Sequence, residues 1–241
     1  MISPSEEGFT TNKLSILHIF PSMRRKLAYG AAPCNPKARR RNIMSHNPQQ
    51  TAETQLILTE KWHHNEPAAS GSGFLLLVAE NHLRNFFLWH EEDIARRDDL
   101  GAGRVMQAKR AINSYNQQRN NFIEEMDKFL VAELKPAESG VPKNSETPGM
   151  MIDRLSILSL KEYHMREETE RKDVAETHIA SCSEKLARIT LQRSDLVRCL
   201  EDLFLEVEAR RRSFAVYYQF KMYNDPALNP QLYAADKSGG K

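Results

Sequence analysis

The side chains of this 241-residue chain best able to do chemistry are histidines, aspartates and one arginine, and helical spacing decides which of them can meet. At about 100° per residue, His82, Trp89, Asp93 and Arg96 project within about 60° of one another, beside a separate apolar stripe of Leu76, Leu83, Phe87 and Ile94. A second stripe, Ile112, Tyr115, Phe122, Ile123, Met126 and Leu130, has Arg119 at its centre. An unpaired buried guanidinium is costly, so Arg119 is expected to meet Asp153 or Asp93, with His82 or His164 close by. Asp153 and His164 share the Ile157/Leu160 face of a segment that is apolar nearly all round, which predicts a central helix.

The group His82, Trp89, Asp93, Arg119, Asp153 and His164 reads in three ways. It is a buried salt-bridge network that fixes helix register; or it is a polar pocket that binds a small anion or moves protons, because a carboxylate beside histidine and arginine brings pKa values towards neutrality. In the third reading Arg119 simply extends its guanidinium to solvent.

Other chemistries find less support. Helical bundles hold di-iron centres with paired Glu-x-x-His motifs, and only Glu60-x-x-His63 has that form. His63-His64 reads as a polar helix terminus and His90-Glu-Glu-Asp93 points around its helix, so no metal and no cofactor is expected. Gly71-Ser-Gly73 and Gly101-Ala-Gly103 lack the preceding strand and following Lys-Ser/Thr of a phosphate loop. Cys34, Cys182 and Cys199 are odd in number and far apart, which fits neither a disulfide framework nor a metal knuckle and suggests a reducing cytoplasm. Cys182 and Cys199 lie on or near an apolar seam and read as core. The basic runs Arg39-Arg-Arg41 and Arg210-Arg-Arg212 are short, and Glu206 and Glu208 precede the second, so specific nucleic-acid binding is not expected.

The elements that must hold these residues are helices. Lys and Arg total 34 against 32 Asp and Glu, for a net charge of +2, and 40% hydrophobic residues suffice for a real core. Residues 1–43 carry eight basic and two acidic side chains, net +6, which leaves −4 for the rest. They read as a basic, disordered extension, with Met44 standing where the composition changes. The remainder reads as one all-helical domain, 44–233, and a disordered tail, 234–241.

Helical periodicity begins near Thr51 and predicts helices over 51–65, 74–97 with Ser72 as cap, 102–134 started by Asp98 and Asp99, and 148–170 capped by Thr147 with Pro148 first. A last, coiled-coil-like helix is expected from Asp173 to about Tyr223, with a break near 209–212. The fold class is therefore all-α, a bundle of about five helices. The longest apolar run, residues 74–79, is far short of the roughly 20 residues that cross a bilayer.

Several blocks carry a resemblance: Trp62-His-His-Asn65, Phe87-Leu-Trp-His-Glu-Glu-Asp-Ile-Ala-Arg96, Lys109-Arg110 with Asn116-Gln-Gln-Arg-Asn120, Asn144-Ser-Glu-Thr-Pro-Gly149 with Ile152-Asp-Arg-Leu-Ser-Ile-Leu158, Tyr163-His-Met165 and Phe220-Lys-Met-Tyr-Asn-Asp-Pro226. In order over about residues 50–233, they resemble an uncharacterised bacterial family, the domain of unknown function 4254. The resemblance implies helical proteins without an agreed activity, encoded near glycosyltransferases and envelope-polysaccharide genes, and supplies no catalytic residues.

Two functions follow from the residues and this resemblance. The first is a non-catalytic protein that binds a partner such as an envelope-glycan glycosyltransferase, or a second copy of itself. Its interface is the seam of the last helix or the aromatics Tyr217, Tyr218, Phe220 and Tyr223. The alternative is an enzyme or ligand binder whose six-residue pocket takes a sugar phosphate or nucleotide sugar. No motif fixes a reaction.

Overall fold

In the computed structural model, residues 46–232 are described; the expectations for 1–43 and 234–241 fall outside them. Five α-helices follow in order: α1 Pro48–His64, α2 Gly73–Ile94, α3 Gly101–Leu134, α4 Pro148–Glu170 and α5 Glu176–Glu208. Among the described residues there is no strand, so the expected all-α bundle is the fold. No helix among them is long and apolar enough to cross a membrane.

Local signals explain most helix starts. The Asn47 side chain accepts the Gln50 N–H at 3.1 Å and caps α1, and the Thr147 hydroxyl accepts the Met150 N–H at 3.2 Å and caps α4. Proline follows both caps, where its missing N–H costs nothing. Two expected signals act otherwise. Ser72 stands at the start of α2 without a side-chain cap bond, and Asp98 and Asp99 form a short 3-10 turn in which Asp99 holds Arg97 at 2.6 and 3.0 Å.

Helix α4 is central, packed against each of the other four helices. Its first turn comes so close to α3 that a Cβ on Gly149 would lie 2.5 Å from the Ile123 carbonyl oxygen. Only glycine fits this approach. There the Gly149 N–H donates to the buried Asp127 carboxylate at 2.7 Å. The main core joins Val78, Met126, Leu130, Ile152, Leu155, Leu200 and Val207 from four helices, and a smaller one gathers Leu58, Trp62, Phe86 and Leu160.

The last helix is shorter than its apolar spacing predicts. It stops at Glu208 because Arg210 adopts φ 56°, which lets the Arg210 N–H reach the Val207 carbonyl at 3.1 Å and the Arg211 N–H reach that of Glu206 at 2.8 Å. Ser213 then pairs with both Pro142 and Asn144, and the chain continues as an extended strap with one 3-10 turn, Met222–Asn224. Glu124 of α3 anchors this strap by accepting the Gln219 N–H at 2.8 Å. The aromatics of 217–223 therefore sit on a strap and not on a helix. Of the two cysteines read as core, Cys182 is buried but Cys199 is exposed.

Candidate functional site

The six residues singled out by spacing occupy two levels of the bundle. At the lower level Asp153 of α4 is the hub. One oxygen, Oδ1, accepts from the side-chain amides of Asn81 at 3.0 Å and Asn85 at 2.9 Å, both on α2. The Arg119 guanidinium lies 3.6 Å from the same oxygen. That is an ion pair without a hydrogen bond, and its Nε has no hydrogen-bond partner. The expected meeting of Arg119 with a carboxylate is thus with Asp153, while Asp93 is exposed beside His90 at the far end of α2.

From Asp153 a chain of hydrogen bonds crosses to α1. Asn85 also donates to the Ser156 hydroxyl at 2.9 Å, and Ser156 lies 2.7 Å from His82 Nδ1. His82 Nε2 is 2.9 Å from the Thr59 hydroxyl, whose own hydrogen goes to the Gln55 carbonyl at 2.8 Å. Because that hydrogen is committed, His82 donates from Nε2 and accepts the Ser156 proton at Nδ1, which assigns one neutral tautomer. The ring is fully buried, stacked on Trp62 at 5.1 Å, and burial pushes its pKa down to about 3. Gln55 closes the circuit by donating to the Ile152 carbonyl at 3.0 Å. The arrangement ties α1, α2 and α4 at one height, with Arg119 of α3 at its edge.

At the upper level the same three helices each present one histidine: His63 from α1, His90 from α2 and His164 from α4. One ring nitrogen of each lies within 4.8 Å of those of the other two. His63 Nδ1 donates to the Thr59 carbonyl at 2.7 Å, and His164 Nδ1 lies 2.8 Å from a Glu167 carboxylate oxygen. The opposite nitrogens, His63 Nε2 and His164 Nε2, are buried without a hydrogen-bond partner. Tyr163 stacks on His63 at 3.9 Å and Trp89 on His164 at 4.6 Å. Burial, reinforced by the neighbouring imidazoles, lowers the pKa of both His63 and His90, which keeps them neutral at pH 7.

Trp89 and His164 therefore belong to this second cluster and not to the Arg119 network. His63 and His90 were not among the six. His63 faces inwards, whereas the next residue, His64, is exposed and sits 3.2 Å from Glu60; the Glu60-x-x-His63 spacing does not describe the contact. Asn81, Asn85, Ser156, Thr59 and Gln55 were missed as well. For Asn81 and Asn85 the signal was a run from Val78 to Phe86 with polar residues between core positions, which the neighbouring stripe of Leu76 and Phe87 concealed; Gln55, Thr59 and Ser156 lie on other helices and had no such run.

A cavity of about 380 Å³ adjoins the histidines and is lined by Glu60, His64, Tyr163, Arg166, Glu167 and Glu170. A second group, Glu168, His178 and Cys182, lies where α4 turns into α5. Its carboxylate and thiol both converge on His178 Nε2, at 2.8 and 3.4 Å, so it lacks the relay of a nucleophilic triad, in which the acid holds the other ring nitrogen.

Residues 76–216 match the family described as "Protein of unknown function (DUF4254)", and the chain belongs to it. No curated protein matches the chain. No solved structure matches it either.

Proposed function

We propose that this member of the family is a non-catalytic accessory protein that docks a protein partner through the strap after α5, and that the partner is a glycosyltransferase of envelope-polysaccharide synthesis. The observation that carries the docking reading is where exposed apolar side chains gather. Of the twelve large hydrophobic residues exposed among the described residues, seven fall within 217–232: Tyr217, Tyr218, Phe220, Met222, Tyr223, Leu228 and Leu232. Phe220 is 83% exposed. Exposed apolar side chains gathered this densely along sixteen residues, with the Tyr218 and Phe220 rings 5.9 Å apart, favour an interaction surface, and aromatics with polar edges suit one that must also meet water. The strap is presented on an ordered support, since Glu124 holds Gln219 and the Lys128 ammonium sits over the Tyr218 ring at 5.7 Å. The identity of the partner rests on the gene association implied by the family resemblance.

The competing pocket reading has less support. His82, Asp153 and Arg119 are engaged with neighbouring side chains, and Asp93, Trp89 and His164 lie at another level.

The test is photocrosslinking in the native host with p-benzoylphenylalanine at position 220. The expected result is one discrete adduct that contains a glycosyltransferase and is lost in the Tyr218→Ser/Tyr223→Ser protein while its circular dichroism is unchanged. Adducts only between copies of this chain would make the strap a dimer surface, and an absence of adducts would remove the proposal.

A further inference from the structure

The upper cluster presents a problem of unsatisfied groups. A buried nitrogen without a hydrogen bond costs about 1–3 kcal/mol, and here two of them, His63 Nε2 and His164 Nε2, occur in adjacent rings. Aromatic packing explains the faces of these rings, covered by Tyr163 and Trp89. It does not explain their edges, because a lone pair in the ring plane is not satisfied by a stacked neighbour. His90 is the third ring at the same place, and one nitrogen from each of the three lies within 4.8 Å of the other two, so a single partner among the rings could answer them together.

The other side of each ring has the form that a metal ligand requires. A ligating imidazole offers one nitrogen to the ion and donates its remaining N–H to a carbonyl or carboxylate, which fixes tautomer and orientation. His63 Nδ1 is held by the Thr59 carbonyl, and His164 Nδ1 by Glu167. Thr59 is held in turn by the buried network, since its hydroxyl is bonded to His82 and to Gln55. The lower level thus sets the height at which α1 delivers His63.

We propose that His63, His90 and His164 bind one divalent first-row transition-metal ion, zinc or a close relative, with a fourth position left for water or an added donor. The site goes beyond the docking function and does not depend on it. Three imidazole nitrogens suit zinc, copper, nickel or cobalt, whereas calcium and magnesium want oxygen ligands. Three protein ligands are also the number that leaves zinc an open position. A tetrahedral ion at 2.0–2.1 Å separates its ligands by about 3.4 Å, so nitrogens now within 4.8 Å need only small ring movements. The adjoining cavity shares Tyr163 and Glu167 with the cluster, and the carboxylates of Glu60, Glu167 and Glu170 favour the approach of a cation. In the group of Glu168, His178 and Cys182 the three side chains engage one another and leave no comparable unpartnered atom.

The experiment uses the full chain, stripped of metal with EDTA and titrated with zinc in competition with a chromophoric chelator. Cobalt is added in parallel for its visible spectrum. One equivalent should bind, with a tetrahedral cobalt spectrum lacking a thiolate charge-transfer band. His90→Gln and His164→Gln should each weaken binding at least about 100-fold, and Glu167→Gln, which only orients His164, by about 10- to 100-fold. His64→Gln and Cys182→Ser should bind as the unaltered chain does. Circular dichroism on each variant confirms that the bundle is intact. The proposal fails if the unaltered chain binds no zinc, if His90→Gln and His164→Gln keep its affinity, or if Cys182→Ser is the variant that loses it.

Discussion

Two polar centres lie in one bundle, built from the same three helices, and they differ in whether their side chains are linked to one another across those helices. Around Asp153, the amide nitrogens of Asn81 and Asn85, the Ser156 and Thr59 hydroxyls and both nitrogens of His82 are joined in one chain of hydrogen bonds that closes across three helices, although Gln55 Oε1, Asn81 Oδ1 and Arg119 Nε at its margins lack a partner. His63, His90 and His164 converge without a hydrogen bond from one ring to another, and two nitrogens of adjoining rings, His63 Nε2 and His164 Nε2, are left open. A closed network is what a protein needs to hold helices in register. An open one keeps capacity for something the chain does not supply. Burial alone would have pointed to the wrong centre, because His82 is the more deeply buried histidine and is already fully engaged.

The comparison can be broken from the closed side first. Asp153→Ala leaves two buried amides without their acceptor and the half-buried Arg119 guanidinium without its counter-charge, and should cost about 3 kcal/mol in urea unfolding. The paired change Arg119→Met with Asp153→Leu, neutral if the centre were only an ion pair, should still destabilise, because Asn81 and Asn85 lose their acceptor. A neutral result for that pair would mean the amides find water. Ser156→Ala removes one link between Asn85 and His82 and should cost about 1–3 kcal/mol.

A smaller effect concerns pH. Folded His82 takes up a proton only near pH 3, while the unfolded chain does so near 6.5, so stability falls as pH drops between these values, by up to about 1.4 kcal/mol per unit. His46, His63 and His90, lowered by the same burial, add to the loss. Asp127 works the other way. Burial raises its pKa from 3.8 to about 6, so between these values the folded state holds the extra proton and gains stability as pH falls. Asp127→Asn should therefore steepen the acid loss between about pH 6 and 4, seen as diverging urea midpoints; parallel curves would contradict the assignment. The smallest expected change belongs to the open centre: His90→Gln should alter metal-free stability by less than about 1 kcal/mol, because no internal network closes through that ring.

The helices were legible in the sequence because caps and apolar period act locally. Thr147 before Pro148 caps α4 as expected, whereas the same pattern at Asn47-Pro48 was missed, and α1 begins three residues before the expected Thr51. The break expected near 209–212 in the last helix is present, but it ends α5 at Glu208 instead of interrupting it, and the left-handed terminus uses Arg210 where glycine would have announced a stop. For the site, angles were readable and heights were not. Asp153 and His164 share a face of α4, but eleven residues separate them by roughly 16 Å along the axis, so they serve different centres. Asp93 fails to reach Arg119 because it lies near the end of α2, where it faces solvent beside His90. Which rings meet across α1, α2 and α4 depends on register between helices, and that is set by Gln55, Thr59, Asn81, Asn85 and Ser156, residues whose types resemble ordinary surface polarity.

The central claim, that the open centre is completed by an ion and the closed one is not, is tested most directly by anomalous scattering at the zinc edge from crystals of the full chain grown with zinc. The account predicts a peak about 2.0–2.1 Å from one nitrogen each of His63, His90 and His164, with no density added around Asp153. A map without a peak among the three histidines, or with zinc on Glu168, His178 and Cys182 instead, would contradict it.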